Sequence, residues 1–78
     1  MDNLLDPKRM TEDFMAFKGF DINTASGRRK AISWLEKAEG NDMFFSSAEG
    51  WTEDQLAFDN IIGEMRRGTM LEYLKGAE

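Results

Sequence analysis

The sequence contains no cysteine, no histidine and no valine, and a single proline, at position 7. Each absence removes a class of protein. Without cysteine there is no disulfide framework, no thiolate nucleophile and no cysteine-ligated zinc. The lack of histidine takes away the usual general base at neutral pH and the commonest metal ligand. Missing valine, with only four isoleucines, argues against β-sheet, because strands favour β-branched side chains. No apolar run approaches the roughly 18 residues that a membrane span requires. The opening residues, MDNLLDPKRM, lack the basic segment followed by an apolar one that marks a secretory signal. The expectation from these exclusions is a soluble, cytoplasmic, non-enzymatic protein with no cofactor, no metal and no membrane contact.

What is present points to helices. Seventy-eight residues make one domain, residues 1–78, near the low end of what folds alone. Such a chain needs well-formed helices or self-association to reach ordinary stability. Six methionines and six phenylalanines suggest an adaptable core or an adaptable contact surface.

The first helix is expected to open at Asp6-Pro7, with Asp6 as N-cap and proline at the first helical position. Met10, Phe14 and Phe17 then form a narrow apolar seam, and Gly19 is the expected stop. Phe20 and Ile22 would tuck the connector against the core. A second helix begins in NTASG, where Asn23, Thr24 or Ser26 is placed to cap. At about 100° per residue, Ala31, Ile32, Trp34, Leu35 and Ala38 fall on one arc of about 160°, and Gly40 is expected to close the helix.

The third helix has the best-marked start. Thr52-Glu53-Asp54-Gln55 fits a capping box, with Trp51 and Leu56 at the positions of a hydrophobic staple. Phe58, Ile61, Ile62 and Met65 lie in a stripe about 100° wide, which reads as the core face. Leu56, Asp59 and Gly63 fall away from that stripe. Gly63 costs roughly 1 kcal/mol in a helix interior, and a close backbone approach there is one reason to keep it. Gly68 is the expected end, followed by a short fourth helix from Thr69-Met70-Leu71-Glu72; a single helix kinked at Gly68 is the competing form. One irregular turn is expected around Met43-Phe44-Phe45. The fold class expected is therefore all-α, a compact domain of three to four short helices. Its expected core is Met10, Phe14, Phe17, Ile32, Trp34, Leu35, Phe58, Ile61, Ile62, Met65 and Leu74.

Charge is unevenly spread. Residues 1–39 carry seven acids and seven bases, whereas residues 40–78 carry eight acids and three bases, which accounts for the net −5. No base stands between Lys37 and Arg66. That half would repel phosphates, which disfavours unaided binding to nucleic acid or anionic lipid. Glu53 and Asp54 have the residue types of a general acid/base pair or a metal site, but the helix dipole alone favours acids in a first turn. The acids at 42, 49, 53, 54 and 59 lack the spacing of a calcium loop. Ser26-Gly27-Arg28-Arg29-Lys30 is the cationic cluster, at a helix start that would suit an anion. It has no phosphate-loop spacing, and its simplest role is a solvated basic face.

The stretch EGNDMFFSSAEGWTEDQ, residues 39–55, sets Phe44, Phe45 and Trp51 among acids. The structural role would be to plug the end of a helical bundle. The functional role would be an apolar anchor inside a charged rim, the usual anatomy of a protein-binding surface. The expected function is accordingly a non-enzymatic protein-binding module, a small acidic inhibitor or adaptor for a partner with a basic surface. Candidate contact residues are Phe44, Phe45, Glu49, Trp51, Glu53, Asp54, Leu56 and Asp59. In size and charge the chain is similar to small acidic proteins of bacterial viruses and mobile elements, such as anti-restriction and anti-CRISPR proteins, though by no motif. Two alternatives are a helical nucleic-acid-binding regulator using Arg28, Arg29, Lys30 and Lys37, and a self-assembling structural protein in which that basic face meets the acidic half of a neighbouring copy.

Overall fold

In the computed structural model, which describes residues 6–76, α1 spans Pro7–Lys18, α2 Ala25–Lys37 and α3 Glu53–Gly76, with a 3-10 turn at Gly40–Met43. No strand occurs among the described residues. The all-α expectation holds, and local chemistry explains the boundaries. The Lys8 N–H donates to the Asp6 carboxylate at 3.1 Å, and Pro7 takes the first helical position of α1. Gly19 ends α1 with φ +88°, a left-handed conformation that glycine adopts without strain. α2 is capped by Thr24, whose hydroxyl oxygen accepts from the Gly27 N–H at 2.9 Å. It ends at Lys37, so Gly40 does not close it; Gly40 instead opens the 3-10 turn, slightly ahead of the turn expected at Met43-Phe44-Phe45.

α3 departs most from expectation. The Gln55 N–H donates to Thr52 Oγ1 at 3.1 Å, which is the threonine half of the expected capping box. The helix then passes through Gly68 and continues to Gly76, about 36 Å at 1.5 Å per residue. Of the two forms expected the single continuous helix is the one found, and among the described residues no separate fourth helix follows. Thr69 does not cap one; its hydroxyl donates back to the Met65 carbonyl at 3.0 Å, an internal i−4 bond. One exposed glycine costs a helix about 1 kcal/mol. Continuing past it buries Met70 and Leu74, which outweighs that cost.

The core is small: Phe14 and Met15 from α1, Ala31 and Leu35 from α2, Met43 from the 3-10 turn, Met70 and Leu74 from α3. Met10, Ile32 and Trp34 pack around it, partly buried. Four residues expected inside lie outside instead, with Phe17 55%, Phe58 63%, Ile61 63% and Met65 69% exposed. Ile62 is half-buried. For α3 the physical reason is a rotation of about half a turn. Once the helix is continuous, Leu56, Gly63, Met70 and Leu74 lie within about 40° of one another, and opposite Phe58, Ile61 and Met65.

Directional contacts hold α3 in that rotation. Gly63 is buried against the backbone of Gly40, and a Cβ at Gly63 would overlap the Gly40 carbonyl oxygen. A Cβ at Gly40 would overlap the Asn60 carbonyl oxygen in turn. Beside this contact the Asn41 N–H donates to Asn60 Oδ1 at 3.1 Å, and the Asn41 side-chain amide donates to the Leu56 carbonyl at 3.2 Å. Lower on the helix, Arg67 Nη1 donates to the Leu35 carbonyl at 3.0 Å, near the C-terminus of α2 where a cation is favoured. Glu64 holds the same guanidinium through Nε and Nη2 at 3.0 and 2.8 Å. The described residues span 38 × 31 × 18 Å, so the molecule is thin, about two helix diameters along its shortest axis.

Candidate functional site

The outer face of α3 is the most exposed apolar surface of a single element. Phe58, Ile61 and Met65 succeed one another at i, i+3 and i+7, so they share one side of the helix. Asp54 precedes them on the same strip and Glu72 follows, both exposed. Gly68 lies beside Met65 with nothing within 4 Å of a Cβ built on it. α3 is less one-sided in hydrophobicity than α1 or α2, because it carries apolar residues on opposite faces. One face is used inside the domain, and the other meets solvent.

The candidate residues of the 39–55 stretch separate into different environments. Phe44 and Trp51 are half-buried and pack edge to face, ring centroids 5.6 Å apart. Arg66 from α3 lies over the Phe44 ring at 4.9 Å, supplying from a distant part of the chain the cation that this stretch lacks. Phe45 packs edge-on to Phe14 and Phe17, at 5.5 and 5.0 Å, and is still 54% exposed. Glu49, Glu53 and Asp54 are exposed, and Asp59 is half-buried on the flank of α3. Leu56 is half-buried on the inner side of α3, where its carbonyl accepts from Asn41. Phe45 and the α3 strip are therefore the most exposed large apolar groups of the acidic half, whereas Phe44 and Trp51 are half-buried.

The basic cluster is also divided. Arg28 is half-buried and turned back on its own loop, with Nη1 donating to the Ile22 carbonyl at 3.2 Å. Arg29, Lys30 and Lys37 remain exposed. Among the described residues the ion pairs are Arg9–Asp13, Arg67–Glu64 and Lys75–Glu36, which leaves those three cations on a solvated face.

Phe58, Ile61 and Met65 were expected in the core, and so were not counted as contact residues. A usable signal was Gly63. At Gly63, unlike Gly68, another backbone approaches the helix, and extending the Gly63 face by sevens reaches Leu56 and Met70.

Among the described residues no three acidic side chains converge as a metal site would require, and no helix is long and apolar enough to cross a membrane. Comparison with protein-family models, curated proteins and solved structures finds no match to this chain. The class that the fold defines is a small all-α domain with one apolar helix face left uncovered.

Proposed function

We propose that the protein is a non-enzymatic binding module whose outer α3 face docks on a partner protein with a basic surface. The observation that carries this is the alignment of Phe58, Ile61 and Met65 on one strip, each more than 60% exposed. A folded domain gains nothing internally from keeping three large apolar side chains in water, whereas a partner that covers them gains their full burial. The surrounding charge defines the partner. Glu53, Asp54 and Glu72 are exposed along α3, and the nearest cation of its outer half, Arg66, is already engaged with Phe44. An acidic rim around an apolar centre steers a basic partner and repels phosphate backbones. Small size and acidity fit an inhibitor or adaptor that covers the basic surface of a nucleic-acid machine.

The test is affinity capture with three forms of the protein. Wild type should retain a partner whose binding weakens as salt is raised. Ile61→Asp should lose it while the far-UV circular dichroism stays unchanged, because position 61 makes no internal packing of consequence. Arg29→Glu combined with Lys30→Glu should keep it. Loss in the charge-reversed form with retention in Ile61→Asp would move the site to α2 and overturn the proposal.

A further inference from the structure

A second surface, separate from the outer face of α3, carries its own chemistry. Lys18, in the last turn of α1, places its Nζ over three aromatic rings: Phe14 at 5.5 Å, Phe17 at 5.7 Å and Trp34 at 5.1 Å from the centroids. Among the described residues Lys18 forms no ion pair, although the chain holds fifteen carboxylate side chains against ten cationic ones. Beside it opens a groove of about 330 Å³ lined by Phe17, Lys18, Asp42, Phe44, Phe45 and Ser47, among others. Asp42 is held in place there by the Glu39 N–H, which donates to one of its carboxylate oxygens at 2.9 Å.

We propose that a cationic side chain, arginine in preference to lysine, presented by a basic protein segment, enters along this groove and takes the place on the Phe14, Phe17 and Trp34 rings that Lys18 holds in the free protein. The ring faces of Phe14, Phe17 and Trp34 present negative quadrupole to a cation; Phe14 is fully buried and neither it nor Trp34 lines the groove, so Phe17, with Phe45 beside it, joins the groove to the place that Lys18 holds. A guanidinium is planar and weakly hydrated, so it stacks on such rings better than an ammonium does. Asp42 adds the opposite charge on the groove wall. Lys18 is held by the rings and by no carboxylate among the described residues. Its flexible four-carbon stem lets the ammonium swing into solvent when a better cation arrives.

The experiment uses the full chain and two short peptides, one with a central arginine and one with citrulline, its neutral isostere. Binding is read from the NMR signals of the Trp34 indole and the Phe45 ring. The arginine peptide should shift both signals and the citrulline peptide neither. Lys18→Met, which keeps the apolar stem and removes the competing cation, should bind the arginine peptide about tenfold more tightly. Lys37→Met, which removes a distant charge, should change affinity less than twofold. Phe45→Ala in the Lys18→Met background, read from the Trp34 indole alone, should abolish the response, and Lys18→Gln serves in place of Lys18→Met if the latter perturbs folding. Equal shifts with citrulline, no binding by any form, or equal tightening by Lys18→Met and Lys37→Met would overturn the proposal. None of these readouts involves Ile61, so failure here leaves the α3 docking face standing, and the reverse.

Discussion

The two faces of α3 are both apolar and half a turn apart, and they are built from different parts. The outer face has the larger side chains, Phe58, Ile61 and Met65, and it is exposed. The inner face has Met70 and Leu74, a bare glycine at 63, and polar groups at Asn60 and Arg67 that bond specific backbone partners. Burial went to the face that permits backbone contact and offers directed hydrogen bonds. Hydrophobic attraction is non-directional and would accept either face. The glycine contact with Gly40 and the asparagine and arginine anchors accept only one.

Substitutions on the two faces should therefore separate sharply. The largest effect is expected at Leu74, fully buried, where Leu74→Ala should cost about 3 kcal/mol in denaturant unfolding. Gly63→Ala comes next, at about 2 kcal/mol or more, since the new methyl meets a carbonyl of the 3-10 turn and neither backbone can easily yield. Arg67→Ala should cost about 1–2 kcal/mol through the lost bond to Leu35 and the unpaired Glu64. At Gly68 the sign reverses: Gly68→Ala should stabilise by about 0.5–1 kcal/mol, a rise of several degrees in Tm for a chain this size, because the site is helical and open. The smallest effect belongs to the outer face, where Met65→Ser should lie within about 0.5 kcal/mol of wild type. Equal costs at Leu74 and Met65, or equal signs at Gly63 and Gly68, would erase the distinction between the faces.

Much of the architecture was legible in the sequence because it rests on local chemistry. Asp6-Pro7, Thr24 and Thr52 announce helix starts through hydrogen bonds that span only two or three residues. The amphipathic arc of α2 was readable for the same reason, and Ala31 and Leu35 are its buried centre. The rotation of α3 was not legible from its richest apolar stripe. Ending the helix at Gly68 severed the phase between Gly63 and the pair Met70 and Leu74, so the Phe58 stripe looked like the sole apolar face. The candidate site shared this fate. The acidic half of the chain was recognisable as a surface, whereas its aromatic content was partly spent inside. Phe44 is covered by Arg66, a contact over 22 positions that no local pattern encodes. Phe45 lies against Phe14 and Phe17, which likewise depends on how α1 returns to the loop.

Methionine methyl groups offer the most direct check, because they sit on both faces of the same helix. With methyl-labelled methionine and a soluble paramagnetic chelate, at a concentration where sedimentation shows a monomer, the Met65 methyl should be strongly broadened. Those of Met70, Met43 and Met15, at 1%, 0% and 0% exposure, should stay sharp. A sharp Met65 signal beside a broadened Met70 would mean that α3 is turned the other way, and the uncovered apolar face would not exist.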